Sequence, residues 1–284
     1  MATKPAPTPP PATGDKEYAI GLARAFGGAI IFALPLLMTM EMWSLGSSVR
    51  PERLCLFLIL NFVILVGLSR FGGFERTMSV GEDMLDALAA YGVGILASAA
   101  ILALFGVLGA GTPLHDIVGK IAIQSVPASF GAMLARKQLT GGESEEDEDH
   151  ALRSAGYGGQ LFLMLAGALF LAFSVAPTEE MILIGFQMSA WQSLALVLVS
   201  LLLLHALVFA AGLAGEEEAP EGYGLGRRFL AYTIPGYGIA LLVSLYVLWT
   251  FGRTDGTGLG EIAGTLIVLG FPAAVGAAIA RLVV

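Results

Sequence analysis

TPLHDIVGKIAIQSVPASFGAMLAR at residues 112–136 and TGLGEIAGTLIVLGFPAAVGAAIAR at residues 257–281 read as one stretch written twice, and their pairing organises the whole chain. Ten positions are identical, including Gly119/Gly264, Pro127/Pro272, Gly131/Gly276 and Arg136/Arg281, and Asp116 meets Glu261. A common bias toward Ala and Leu produces scattered matches. It does not produce prolines, glycines and an acid in one register. Each copy is also an apolar run long enough to cross a hydrocarbon core, which takes roughly 20 residues as a helix.

Working outward, GGAIIFALPLLMTMEMWSLG (27–46) aligns without gaps on AGALFLAFSVAPTEEMILIG (166–185), placing Thr39 on Thr178, Glu41 on Glu180 and Gly46 on Gly185. The same register carries the second apolar run onto the sixth. The third matches the seventh, with Tyr91-Gly92 on Tyr237-Gly238, Ser98 on Ser244 and Phe105-Gly106 on Phe251-Gly252. The expected fold is all-α, a polytopic transmembrane helical bundle of about eight spans arranged as two parallel four-helix repeats. The spans fall near 20–43, 52–69, 84–108, 114–135, 157–177, 183–213, 229–251 and 260–283, and the long sixth run has room for a broken or interfacial segment. Repeats with an even number of spans enter the membrane in the same direction. A pseudo-twofold axis along the membrane normal is then expected, with equivalent residues facing one another at one depth.

Composition supports the membrane reading. The hydrophobic fraction is 56 % and the charged fraction 13 %, about half the charge of a soluble domain. The runs lack the alternation of an outer-membrane barrel. Residues 1–17 form a proline-rich tail without the apolar core and cleavage site of a signal peptide. Repeat 1 then covers 18–137, an acidic linker 138–154, and repeat 2 covers 155–284. Cys55 is the only cysteine, which excludes intrachain disulfides and cysteine metal clusters. Ten acids lie in loops 140–150 and 215–222 and account for the net charge of −8. They read as solvated linkers, without the glycine-containing rhythm of a calcium loop.

Sorting basic residues by alternate loops gives the orientation. Lys4, Lys16, Arg24, Arg70, Arg76, Arg136, Lys137, Arg153, Arg227, Arg228 and Arg281 collect on one side, against Arg50, Arg53 and Arg253 on the other. The positive-inside rule makes both termini cytoplasmic.

Three segments, ALPLLMTMEMW (33–43), ERTMSVGEDMLDALAAYGVG (75–94) and APTEEM (176–181), resemble an uncharacterised family of bacterial integral membrane proteins. The resemblance covers nearly the whole chain after the tail. It implies a multi-pass protein of the bacterial inner (plasma) membrane, and it brings no activity, cofactor or site residues.

Ionisable groups within spans cost roughly 2.5–3.5 kcal/mol at the helix centre on insertion scales, so they are candidates for function. Glu41 with Thr39, and Glu180 with Thr178 and Glu179, repeat near the outer ends of the first and fifth helices, next to Pro35 and Pro177. A proline frees a carbonyl four residues back, and at depth such a carbonyl must line a cavity or find a partner. Two Thr-x-Glu elements from opposite halves would offer hydroxyls, carboxylates and carbonyls at one level. Those are hard oxygen ligands for Na⁺, K⁺, Ca²⁺ or protons. The competing expectation is a pair of headgroup-level carboxylates beside an interface anchor, Trp43.

Asp116 and Glu261 fall in the first turn of helices that start near Thr112 and Thr257. There the helix dipole favours them, and they would add negative potential to an outer vestibule. Lys120 is expected to pair with Asp116 at i,i+4. His205, Asn61, Gln124, Gln187 and Gln192 are expected to make hydrogen bonds between helices rather than bind substrate, with a proton relay through His205 as a weak alternative. The motif PAxxGAxxAR reads as a close-packing face.

A cation channel or conductor with its pathway between the repeats is the first functional expectation. Its alternatives are a secondary transporter, coupled to protons or not, and a non-transporting scaffold or sensor. No zincin motif, activated nucleophile or phosphate-binding loop argues for an enzyme, and no basic patch argues for nucleic acid. Neither cofactor nor metal is expected. The implied partners are lipid and monovalent or divalent cations or protons, with homo-oligomerisation open.

Overall fold

The computed structural model describes residues 13–71, 80–109, 111–138, 156–209 and 225–283; the acidic loops 140–150 and 215–222 lie outside these residues. All described regular structure is helical, and eight helices are long and apolar enough to cross a membrane. The chain is an integral membrane protein by composition and by architecture.

In the first half, α1 (Thr13–Leu37), α3 (Pro51–Phe71), α4 (Val80–Leu104) and α5 (Leu114–Gln138) are the spans, and α2 (Met40–Ser48) is a short helix between the first two. The second half repeats the order with α6 (Gly156–Val175), the short α7 (Glu180–Gln187), α8 (Ala190–Phe209), α9 (Leu225–Arg228) and α10 (Ile234–Thr250) joined by a π-helical turn Phe229–Thr233, and α11 (Leu259–Val283). Helix α1 starts at Thr13, so residues 13–17 of the expected tail belong to it. "Distal" below means the end of the bundle opposite the two termini.

The apolar run 20–43 is not one helix. It stops at Leu37, and Thr39 takes an extended conformation (φ −97°, ψ 129°) before α2 begins. Pro35 has already removed one donor there. The exposed carbonyls are then claimed from inside the protein. Leu36 O accepts from the Thr39 amide (3.2 Å), from Thr39 Oγ1 (2.9 Å) and from Gln124 Nε2 of α5 (3.0 Å), while Leu37 O accepts from Trp43 Nε1 (2.8 Å). The second half breaks at the equivalent place: Val175 O accepts from the Thr178 amide (3.1 Å) and from Thr178 Oγ1 (2.9 Å). The expected interruption of the run 183–213 is present as Met188-Ser189, between α7 and α8.

Contacts within the halves also correspond. Gly28 of α1 lies against the backbone of Gly131 and the methyl of Ala135 in α5; Gly167 of α6 lies in the same way against Gly276 and Ala280 in α11. Nearer the distal end, Gly46 meets Gly119 and Lys120, as Gly185 meets Gly264 and Thr265. Alanines 29, 33, 128 and 132 and their counterparts 168, 172, 273 and 277 are all fully buried around these crossings. Lipid gives no hydrophobic drive to bring helices together, so close backbone approach and dispersion must do it. The PAxxGAxxAR glycines lie at that approach. The third span of each half ends alike: Gly106 and Gly252 both have φ +72°, with Val107 N–H bonded to Leu102 O (3.0 Å) and Arg253 N–H to Leu248 O (2.9 Å). This is a Schellman ending, which needs a left-handed residue and hence glycine.

The halves do not meet through equivalent surfaces. Helix α3 packs on α6 and α10 of the second half, and α5 on α6. Phe57 stacks on Phe173 (ring centroids 5.3 Å apart) and lies edge-on to Phe251 (6.0 Å), and Phe32 and Phe130 both meet Phe170 (5.6 and 6.1 Å). A twofold axis would require the counterparts of these residues to be packed together too. Ile31, the counterpart of Phe170, is 68 % exposed, and Leu34 and Phe105, the counterparts of Phe173 and Phe251, are also exposed. The expected pseudo-twofold face-to-face arrangement is therefore replaced by a heterologous one. Aromatic rings, not a hydrated gap, fill the seam.

Candidate functional site

Each acidic element singled out in the sequence has a definite setting at the distal end. Glu41 is half-buried in the first turn of α2, and Glu180 is exposed in the first turn of α7, where the helix dipole favours both. Helix α2 packs on α5 and α7 packs on α11, so each carboxylate belongs to its own half. Neither threonine hydroxyl is free to donate to a ligand, since Thr39 and Thr178 spend their protons on the carbonyls at the breaks. The carbonyls of Leu36, Leu37 and Val175 at the breaks are occupied as well. Pro177 O, at the second break, accepts from Arg253 Nη2 (2.6 Å).

Arg253 is the organising cation of the second half. The Schellman ending at Gly252 turns it back over the α6–α7 break, where its Nη1 also lies 3.7 Å from Glu179. Beside it a cavity of about 210 Å³ opens between α7, the loop after α10 and the start of α11. Arg253, Asp255, Thr257, Glu261 and Thr265 line its polar side, and Ile182 and Phe186 its apolar side. Two expected residues, Glu179 and Glu261, are thus gathered around one arginine; Arg253 and Asp255 had not been expected there. The signal for Arg253 was present, as one of only three basic residues on its side of the chain.

Charge is unevenly neutralised around the cavity. Asp255 is held by Arg53 of α3 through two bonds, Nη1–Oδ2 at 3.0 Å and Nη2–Oδ1 at 2.9 Å. Arg53 Nη1 also donates to Trp249 O (2.7 Å), and its guanidinium carbon sits 4.7 Å from the Trp249 ring centroid. These hydrogen bonds from Arg53 hold the Asp255 carboxyl below its usual range; partial burial works against them, and the charges of Arg53 and Arg50 add to them. Among the described residues Glu261, by contrast, accepts only from the Gly258 amide (3.2 Å), half of a capping box at the start of α11.

Because the folded Asp255 carboxyl is depressed, its ion pair stabilises the seam above its ordinary titration near about pH 4 and is lost as pH falls through the lower folded value. In a Trp43→Phe, Trp191→Phe background, Trp249 emission should stay constant from neutral pH down to about pH 4 and shift below it. Arg53→Gln should show the shifted emission already at neutral pH. An Arg53→Gln protein with parental emission and parental acid response would show that the pair does not order this loop.

In the first half the equivalent register holds Thr112, Asp116 and Lys120. Asp116 Oδ1 lies 3.0 Å from His115 Nε2, and the expected Lys120–Asp116 pair does not form. Lys120 instead lies against Gly46, with its backbone and Cγ at the crossing.

The remaining polar residues divide by depth. Asn61 Nδ2 donates to Ser129 Oγ (3.2 Å) between α3 and α5, Gln124 reaches α1, and His205 Nδ1 meets Thr233 Oγ1 (2.8 Å) at the π turn: three interhelical bonds. Gln192 caps the start of α8 by accepting from the Ser189 amide (2.8 Å), and Gln187 is exposed. Among the described residues no three His, Cys, Asp or Glu side chains converge as metal ligands would.

Residues 21–284 match the family model described as "Putative integral membrane protein (DUF2391)". No curated protein and no solved structure matches the chain.

Proposed function

The chain belongs to the DUF2391 family of integral membrane proteins, and from that premise we propose that it is a carrier for a monovalent cation or proton, which enters through the Glu261 cavity of the second half. The observation that carries this reading is the Glu261 carboxylate, which makes no ion pair among the described residues, at a cavity that also presents the Thr257 and Thr265 oxygens; Arg253, which lines the same cavity, is engaged by Glu179 and the Pro177 carbonyl. Glu261 and Thr265 are four residues apart, hence on one face of α11. A single carboxylate with two hydroxyls is a weak hard-oxygen site. It suits an ion of one charge better than Ca²⁺, which takes 6–8 oxygens.

The aromatic seam supports a carrier over an open pore between the halves, because Phe57, Phe173 and Phe251 occupy the place an axial path would need. In this reading the two halves are copies of one duplicated unit, of which only the second kept the ion site. Glu41, Thr39, Glu180 and Thr178 shape the helix breaks, and Asp116 lends outer potential. No covalent bond is made or broken. The distribution of basic residues supports cytoplasmic termini in a plasma membrane, with the cavity facing outward.

The test is flux in proteoliposomes under imposed Na⁺, K⁺ or proton gradients. Glu261→Gln keeps the size and the cap acceptor but removes the charge, and should lower flux by about 10-fold or more, the equivalent of 1.4 kcal/mol. Flux at the parental rate in Glu261→Gln would reject the site. A steady single-channel current would reject the carrier, and no flux of any of the three ions would leave the scaffold reading in its place.

A further inference from the structure

The surfaces that join the two halves of one chain are duplicated and left open at its two ends, and we propose that a second copy of this chain occupies them. Exposed apolar helix faces in a membrane are ordinary, because lipid covers them. The argument rests instead on an interface already made once. On the first half, the joining surface includes Arg53, Phe57 and Gly67 of α3, which meet Asp255, the Phe173–Phe251 pair and Phe162, together with Phe32 and Phe130, which meet Phe170. Arg53 and Phe57 are buried there, at 8 % and 1 % exposure, and Ile64 of the same helix is buried as well.

The counterparts on α8 are Gln192, Leu196, Leu203 and Ala206. None of them is buried, and only 11 % of the α8 span is buried in the bundle, against 39 % for the α3 span. Helix α8 therefore offers much of the α3 surface a second time: Gln192 and Ala206 are exposed, and Leu196, half-buried against this chain's own core, keeps part of its surface open. The receiving surface is likewise offered twice. Phe162, Phe170 and Phe173 of α6, with Trp249 and Phe251 around α10, correspond to Ala23, Ile31 and Leu34 of α1, with Ala103 and Phe105 around α4. All five of those counterparts are exposed.

A heterologous contact propagates. One copy's α8 offers what the next copy's α1–α4 face receives, and the series ends only by closing into a ring. The side chains fit such a contact: Ala206 faces Ala23 where Gly67 faces Phe162, and Leu196 faces Leu34 where Phe57 faces Phe173. Small and branched apolar groups here replace the aromatic stack. This contact is correspondingly weaker than the seam within the chain, and it depends on the membrane to confine the copies. The inference is independent of the ion site.

Directed cross-linking in native membranes tests it. In a Cys55→Ser background, two differently tagged chains carrying Leu34→Cys and Leu196→Cys are co-expressed and oxidised. The expected product is a mixed band containing both tags, with Leu196→Cys alone and Leu34→Cys alone remaining monomeric. A parental elution profile and melting temperature for each single-cysteine chain check that the fold survives the substitutions. No mixed band from chains that pass this check overturns the proposal. So does an equal band from Leu196→Cys alone, which would mean an α8-to-α8 isologous pair.

Discussion

Gly131→Leu and Gly276→Leu should each reduce the folded, detergent-extractable protein to a small fraction of the parent. At both positions a new side chain would enter the backbone of the neighbouring span: Gly28 and Phe32 at the first, Gly167 and Leu171 at the second. Overpacking a tight core usually costs about 1–3 kcal/mol when side chains can adjust. Here the obstacle is main chain, which cannot rotate away, so the cost lies at or above the top of that range. Moving α5 off α1 would also pull Gly119 from Gly46 and Gln124 from the carbonyl of Leu36, so the break loses its seal as well. Set against a total stability of about 5–15 kcal/mol, such a loss shows as aggregation rather than a modest shift. Size-exclusion chromatography of a fluorescent fusion, with a thermal melt, measures it. Gly92→Leu and Gly238→Leu provide the contrast. Those glycines have nothing within 4 Å, so leucine there gains most of the about 0.8–1.0 kcal/mol of helix propensity that separates glycine from alanine and should not reduce the yield. A Gly131→Leu protein as stable as its parent would mean that α1 and α5 do not touch there.

The spans were legible because a run of apolar residues has one stable answer in lipid: a helix satisfies its own backbone and a loop does not. The glycine crossings were legible for a related reason, since small residues at shared positions in PAxxGAxxAR have little use other than close approach. The break inside 20–43 was harder. Hydropathy does not change at Met38-Thr39, and the decision is made by a proline, one hydroxyl and a glutamine 85 residues later in the chain. Hydropathy windows do not see such partners. The relation between the halves was not legible at all. An internal repeat fixes which residues are equivalent, but the operator that relates them depends on which faces carry aromatics. Phe57 against Leu196 and Phe173 against Leu34 are substitutions that sequence comparison scores as conservative, yet they decide which pair of surfaces closes.

For the candidate site, acids stand out in the sequence because they are costly in lipid. That criterion singles out Glu261 and Glu179, which the structure places at the distal end. It passed over Arg253 and Arg53, whose long stems lie along apolar surface with the charged ends at the interface. What an acid does depends on its partner, and the partners come from elsewhere in the chain: Arg53 crosses the seam to Asp255, and Arg253 folds back on Pro177. Counting carboxylates could not reveal which of them would meet an arginine.

Thr265→Lys is expected to abolish flux while preserving the fold, and the first half explains why. Lys120 stands at the register position of Thr265, on a helix crossing where Gly46 replaces Gly185. The stem of a lysine is therefore accommodated at this crossing in one half already, and melting temperature should move little. The ammonium is a different matter. Lys120 makes no pair with Asp116 in the first half, but a lysine at 265 would enter the cavity that Glu261 lines; at about 4 Å the two charges would interact by about 4 kcal/mol at an effective dielectric of 20, and the ammonium would compete with any monovalent ion for the same oxygens. A tethered cation is also at high effective concentration, so raising bath salt should recover little flux. Thr265→Val separates charge from hydroxyl: it removes one ligand oxygen at nearly constant volume, and should weaken the dependence on cation concentration without stopping transport. Parallel flux and melting measurements on the three proteins decide the matter. If Thr265→Lys transports like the parent, the cation does not pass Glu261, and the cavity between α7 and α11 is a gap in the packing rather than an entrance.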